Sequence, residues 1–151
     1  MNEHDMRYVT LIGTPLAQSY AARMHNAAYA AMGAALHYTY CEAGTEHLGE
    51  IVAGLRHIPC IAGFAVTKPN KVKVLEYLDA ADTLCGRIGA CNTVVKTPDG
   101  ALIGYNTDAE ERGCTVMNGL EMSLWQGARQ IELWTGRQAP IAAMREALRE
   151  K

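Results

Sequence analysis

No stretch of this chain approaches the ~20 consecutive apolar residues that a membrane-spanning helix needs. No block of lysine or arginine stands out either: 14 basic and 16 acidic residues leave a net charge of −2. The first absence predicts no transmembrane span, and the second removes the electrostatic footprint of a nucleic-acid or anionic-membrane partner. Paired cysteine motifs are missing too. Cys41, Cys60, Cys85, Cys91 and Cys114 are odd in number, and no two are spaced as a Cys-x-x-Cys redox or zinc motif. Reduced thiols follow, and the polar, acidic start of the chain (residues 1–6) lacks the basic and apolar regions of a secretory signal, so a cytoplasmic location is predicted. No histidine or cysteine is spaced to complete a metal site with His25, so no metal is expected. Glycine is plentiful, with 14 residues, yet nowhere does Gly-x-Gly-x-x-Gly follow a strand. Without that phosphate cradle no dinucleotide cofactor is expected to bind this chain. A small polar metabolite or another protein remains as a partner.

A length of 151 residues predicts one domain, large enough to bury roughly 70% of its unfolded surface. Residues 8–12 predict a short buried strand closed by Gly13 and Pro15, and the alanine-rich residues 21–32 predict a helix. Residues 36–41 alternate in strand fashion. Residues 47–57 place Leu48, Ile51, Val52 and Leu55 on one helix face, and residues 60–66 form a third apolar run. Pro69 suits the first turn of a helix over residues 71–78, with Val72, Leu75 and Leu78 on one side. A hairpin is predicted from residues 92–96 and 101–105 around Pro98-Asp99-Gly100, followed by helices over residues 121–134 and 139–148. Strands that alternate with helices predict an α/β fold: a three-layer α/β/α arrangement around an open, mostly parallel twisted sheet with a β-hairpin, closed by two C-terminal helices.

In open α/β sheets, ligands gather beyond the carboxyl ends of the strands, where loops and helix N-termini converge. The polar residues of this chain fall at such places. The first strand leads into Gln18-Ser19-Tyr20 and the third into Thr67-Lys68-Pro69-Asn70-Lys71, while the hairpin carries Asn92 at its start and Asn106-Thr107-Asp108 at its end. Hydroxyls, amides, one ammonium and one carboxylate suit a small ligand with several hydroxyl groups and a negative charge. Lys71 and Asp108 are the plausible chemical pair. A lysine takes a hydroxyl proton when desolvation or a nearby cation lowers its pKa, whereas an adjacent aspartate holds it charged, so the two suit proton relay and orientation. Each candidate also has a plain structural reading. Lys71 serves as a solvated lysine in a helical first turn, Asp108 and Ser19 as helix caps, and Asn92 as a turn residue. Gln126, beside Trp125 in an apolar helix, finds a polar partner or faces solvent. His25 reads as a packed or surface histidine rather than a base.

Taken in order, five segments resemble the substrate-binding domain of the shikimate and quinate/shikimate dehydrogenases. They are Ile12-Gly13-Thr14-Pro15-Leu16, Met24-His25-Asn26, Val66-Thr67-Lys68-Pro69-Asn70-Lys71, Gly89-Ala90-Cys91-Asn92-Thr93-Val94 and Gly104-Tyr105-Asn106-Thr107-Asp108, and they cover most of residues 8–108. Residues 118–136 resemble the family's C-terminal helix, which packs back on that domain. The resemblance implies NADP- or NAD-dependent oxidation or reduction of a ring hydroxyl of shikimate, in the pathway to the aromatic amino acids. It implies Lys71 and Asp108 as the catalytic pair, Ser19 and Thr67 on the carboxylate side of the ligand, and Asn92 and Gln126 on the ring hydroxyls.

Departures from the family pattern carry as much information. Where the family commonly has a second serine followed by proline, this chain has Ala21 and Ala22; a frequent asparagine is Ala65, and a frequent histidine is Gln18. With each lost hydrogen bond costing about 0.5 to 1.5 kcal/mol, shikimate itself is expected to bind more weakly, by roughly one to three powers of ten. The largest departure is a join. The family places a whole nucleotide-binding domain between the Asn-Thr-Asp motif and the Asn-Gly-Leu helix, whereas here only nine residues separate Asp108 from Asn118. The chain therefore reads as one substrate-binding domain over residues 1–151, with its core at 8–108, a seam near 109–112, C-terminal helices over 120–149 and no nucleotide-binding domain. Positioning of a nicotinamide against the substrate supplies up to ~7 to 11 kcal/mol of such catalysis, so the chain alone is expected to bind ring carboxylates of the shikimate or quinate type without acting as a dehydrogenase. Two alternatives stay open: an interaction module that forms a homodimer or pairs with a full-length relative, and a dehydrogenase whose cofactor is supplied by a partner chain.

Overall fold

In the computed structural model, which describes residues 5–110 and 119–149, the chain starts as a strand, loop and helix. β1 (Arg7–Gly13) buries Val9, Leu11 and Ile12, and α1 (Ala21–Met32) follows it. Gly33 ends that helix with a φ of 58° and donates its N–H back to Ala30. This left-handed cap favours glycine and turns the chain into β2 (Leu36–Glu42). α2 (Leu48–His57) and β3 (Ile61–Val66) repeat the unit, and β3 is buried at every position, as expected of a central strand covered on both faces. A 3-10 helix at Lys73–Tyr77 leads to β4 (Ala80–Ala81) and α3 (Thr83–Ile88). The hairpin strands β5 (Thr93–Lys96) and β6 (Leu102–Tyr105) come next, then α4 (Thr107–Glu110), α5 (Gly119–Thr135) and α6 (Ile141–Arg149).

All six strands form one sheet in the order β2-β1-β3-β5-β6-β4. The pairs β1–β2, β1–β3 and β4–β6 are parallel, and the hairpin strand β5 runs antiparallel to both β3 and β6. One face packs Leu11, Met24, Tyr38, Leu124, Ile131 and Trp134 beneath α1, α5 and α6. The opposite face packs Ile12, Leu48, Val52, Phe64, Val74 and Leu102 beneath α2, the 3-10 helix and α3. The predicted three layers, mostly parallel sheet, hairpin and pair of closing helices are therefore present. At the open edge of β2, the Asn26 side chain imitates a further strand: its Oδ1 accepts from the Tyr38 N–H at 2.7 Å and its Nδ2 donates to the Tyr38 carbonyl at 3.0 Å.

The segment after β3 departs from the sequence expectation. Pro69 follows a cis peptide bond and lies in a turn, and regular structure begins only at Lys73, as a 3-10 helix. Three residues per turn change which side chain points inward, so Val74 is fully buried while Val72 stands 66% exposed. β4, α3 and α4 were not anticipated. Asp82 caps α3 by accepting the Cys85 N–H at 2.7 Å, and Gly89 closes it with a φ of 70°. The predicted seam starts in the last residues of α4 and continues, with Cys114, outside the described residues. Among the described residues no helix is long and apolar enough to cross a membrane, and no three His, Cys, Asp or Glu side chains gather as a metal site.

Candidate functional site

A cavity of about 420 Å³ opens at the carboxyl ends of β1 and β3, between the start of α1 and the first turns of α5. That volume lies within the usual range for small-molecule sites. All six residues singled out from the sequence, Ser19, Thr67, Lys71, Asn92, Asp108 and Gln126, line it.

Lys71 reaches the cavity from the turn after β3, where its own carbonyl accepts the Cys91 N–H at 2.7 Å and so fastens this turn to the segment that leads into β5. Its ammonium donates to Asp108 Oδ2, and the two side chains are 32% and 40% exposed. Asp108 lies inside the first turn of α4, after Thr107, so its carboxylate serves this pair rather than a helix cap. The pair is neutral as a unit and open to solvent on one side. That arrangement places a proton donor and a proton acceptor together on the cavity wall.

Asn92 is the hub of the cavity wall. Its backbone ties β3 to β6, accepting from Val66 N at 2.8 Å and donating to Tyr105 O at 3.1 Å. Asn92 as a whole is only 3% exposed. Oδ1 accepts from the Thr107 N–H at 2.9 Å and from the Thr93 hydroxyl at 2.8 Å, while Nδ2 donates to the Thr107 hydroxyl at 2.9 Å. One amide hydrogen is left for a ligand. The Thr107 hydroxyl in turn reaches Gln126 Oε1 at 3.5 Å, and Gln126 Nε2 donates to Ser123 O at 3.2 Å, again leaving one N–H over. Ser19 Oγ accepts from the Ala21 N–H at 3.3 Å, so it does support the start of α1 and keeps its own hydrogen free. The Thr67 hydroxyl has no hydrogen-bond partner among the described residues, although its backbone is fixed by Thr67 N to Ile12 O and Asn70 N to Thr67 O, both 2.9 Å.

Gln130 escaped the sequence reading. It is 4% exposed, lines the cavity one turn after Gln126, and donates to the Thr93 hydroxyl at 2.9 Å and the Asn92 carbonyl at 3.4 Å. The available signal was its spacing, four residues from Gln126 and four from Trp134 on a single helix face. His25 lies outside the lining and in the core behind it. Its ring stacks on Tyr38 at 4.3 Å, its Nδ1 hydrogen-bonds the Ala21 carbonyl at 2.8 Å, and its buried Nε2 has no partner. Burial holds its pKa down at about 4.

Gly13, at the end of β1, lets the turn after β3 approach closely: a Cβ there would fall 2.3 Å from Thr67 Cγ2 and 2.7 Å from the Lys68 carbonyl.

Residues 11–94 match the family model described as the shikimate dehydrogenase substrate binding domain, and residues 119–149 match the shikimate 5'-dehydrogenase C-terminal domain. Over 98 residues the chain is 48% identical to the shikimate dehydrogenase (NADP(+)) of Bacillus cereus strain B4264, a match that covers 65% of this chain and 35% of that relative. The chain thus spans about a third of the length of the curated relatives it matches. Its fold is shared with shikimate 5-dehydrogenase from Listeria monocytogenes in complex with shikimate and NAD, at a TM-score of 0.86 and 21% identity over 95% of this chain and 96% of that one. Shikimate dehydrogenase from Aquifex aeolicus is similar at a TM-score of 0.89 and 17% identity, over 99% and 100% of the two chains. With its motifs, sheet and matched segments in the same order, the chain belongs to the shikimate dehydrogenase family.

Proposed function

We propose that this chain is a binding module for shikimate-type hydroxylated ring carboxylates and is not a dehydrogenase by itself. The observation that carries the reading is the convergence of Ser19, Thr67, Lys71, Asn92, Asp108 and Gln126 on one cavity. In this reading Lys71 and Asp108 orient a ring hydroxyl and hold its proton, the spare N–H groups of Asn92 and Gln126 bind neighbouring hydroxyls, and Thr67 and Ser19 face the remaining edge of the ring. The Listeria relative was solved with shikimate bound, which supports the ligand class. The four described cysteines are thiols, which supports a reducing, cytoplasmic setting. Because the nucleotide domain of the family has no counterpart in the nine residues between Asp108 and Asn118, the module binds without hydride transfer.

Titration calorimetry with shikimate tests this directly. Wild type is expected to bind, and Lys71→Ala and Asp108→Ala to bind about tenfold more weakly or worse. Equal affinity in all three proteins contradicts the assignment. Incubation with shikimate and NADP or NAD is expected to yield no reduced cofactor, and turnover at the rate of a full-length family member contradicts the second half of the proposal.

A second reading, self-association or pairing with a full-length relative, is favoured by the apolar edge that the cavity mouth shares with α5. Tyr20 and Met122, which line the cavity there, are 54% and 52% exposed. Light scattering over rising concentration is expected to show a monomer becoming a dimer in this reading, and a constant monomer mass eliminates the homodimer.

A further inference from the structure

We infer that Arg23 supplies the positive charge that meets the ligand's carboxylate, so that the cavity selects the ionised ring acid over its neutral ester. This inference rests on the binding function proposed above and adds to it the residue that sets its charge preference.

Lys71 is the one cation among the described lining residues and Asp108 the one carboxylate, and they are bonded to each other. A carboxylate on the ligand must therefore draw its counter-charge from the layer behind. Arg23 occupies that layer in the first turn of α1, between the lining residues Ala21 and Met24, with its guanidinium 5.5 Å from the centroid of the Tyr20 ring, which itself lines the cavity. No acidic side chain pairs with it among the described residues. The side chain is half-buried, and its Nε is shut off from solvent without an acceptor. A guanidinium that has given up part of its hydration gains more from an anion than one in open water.

Neutral donors at the same end complete the setting. Ser19 keeps its hydroxyl hydrogen, because its Oγ accepts the Ala21 N–H at 3.3 Å, and the Tyr38 hydroxyl has no partner among the described residues although Tyr38 lines the cavity and is only 2% exposed. Burial raises the pKa of that phenol, so it stays a donor at neutral pH. Of the first three amides of α1, Ala21 N–H goes to Ser19 and Ala22 N–H to the Tyr40 hydroxyl at 3.1 Å, which leaves the Arg23 N–H without an acceptor among the described residues. The helix end adds partial positive charge of the same sign. Neutral donors also bond an ester carbonyl, though more weakly than a carboxylate. The full charge that separates the two ligands is the guanidinium's.

Calorimetry on the full chain at neutral pH, with shikimate beside methyl shikimate, is read as the ratio of the two affinities in wild type, Arg23→Gln and Arg23→Lys. Partial unfolding of a variant lowers both affinities alike and leaves the ratio unmoved. Wild type is expected to prefer the acid by about tenfold or more, Arg23→Gln to lose at least about fivefold of that preference, and Arg23→Lys to keep most of it. Added salt is expected to weaken acid binding in wild type more than in Arg23→Gln. A ratio that is the same in wild type and Arg23→Gln, or the same in Arg23→Lys and Arg23→Gln, overturns this inference and leaves the binding function standing. If neither compound binds to wild type, the binding function fails and the inference fails with it.

Discussion

Gly63→Ala is expected to destabilise the protein by about 3 kcal/mol or more. Gly63 lies in the central strand β3, on the face covered by α5. A Cβ built there falls 2.3 Å from the Val94 carbonyl oxygen and 2.6 Å from Trp134 Nε1. Neither neighbour is the loose end of a flexible side chain. The first is backbone on the adjoining strand β5, whose pairing with β3 includes Phe64 opposite Val94. The second belongs to an indole that is 8% exposed and donates to that same carbonyl at 3.0 Å. Alanine must spread the strands or evict the ring, and eviction also strips the carbonyl of its indole donor. For a chain of this length, 1 kcal/mol corresponds to about 2–4 °C in Tm, so a drop of roughly 6–12 °C is expected in thermal denaturation. Gln126 and Gln130 ride on the helix that Trp134 anchors, so ligand affinity should fall in the same variant. A Tm within about 2 °C of wild type would mean that the indole yields without cost, contrary to the close packing expected of such an interior.

Acidification is expected to cost about 3 kcal/mol of stability through His25 alone, between pH 6.5 and about pH 4. The unfolded chain takes up a proton at this imidazole near its ordinary pKa of 6.5, whereas burial delays uptake in the fold to about 4. Below 6.5 the unfolded state therefore binds more protons, and stability falls as pH falls. The loss levels off below about 4, and above 6.5 the group contributes nothing. The rings of Tyr29, Tyr38 and Trp134 pack around the imidazole, and none of them supplies a negative charge at these pH values to hold the proton. The Ala21 carbonyl at Nδ1 and the Gln130 side chain favour the protonated ring, but burial outweighs both. Denaturant unfolding at several pH values, wild type beside His25→Phe, isolates the effect because other acid-sensitive groups are common to both. Wild type is expected to lose stability more steeply across this window. Parallel profiles for the two proteins would show that His25 titrates alike in its folded and unfolded states.

Much of this architecture is legible in the sequence because its signals are local. The apolar run of β1, the alanine-rich face of α1 and the Pro98-Asp99-Gly100 turn each specify their element without reference to the rest of the chain. The turn after β3 is different. A proline followed by apolar residues suits a helical first turn, and only tertiary contacts decide otherwise: Asn70 is fully buried there and donates to the Ala43 carbonyl at 2.9 Å. β4 has two residues and α3 has six, too few for a hydrophobic period to emerge. In the cavity, spacing alone left Lys71 and Asp108 with structural alternatives, and it was the order of motifs along the chain that singled them out. Gln130 was missed for a physical reason. A glutamine on an amphipathic helix looks like solvent-facing polarity, and its burial becomes intelligible only once Thr93 and Asn92 are seen across from it.

The position of Asn92 has a consequence for how such a chain can be rearranged. Its side chain grips Thr107 at the start of α4, its carbonyl receives Gln130 from α5, and the two polar halves of the cavity are thereby fitted through space. The segment between Glu110 and Gly119 then governs local concentration, that is, how often the halves meet, while the Asn92 contacts govern how they fit. A change in the length of that segment is thus expected to alter how often the halves meet and to leave the Asn92 contacts themselves unaltered.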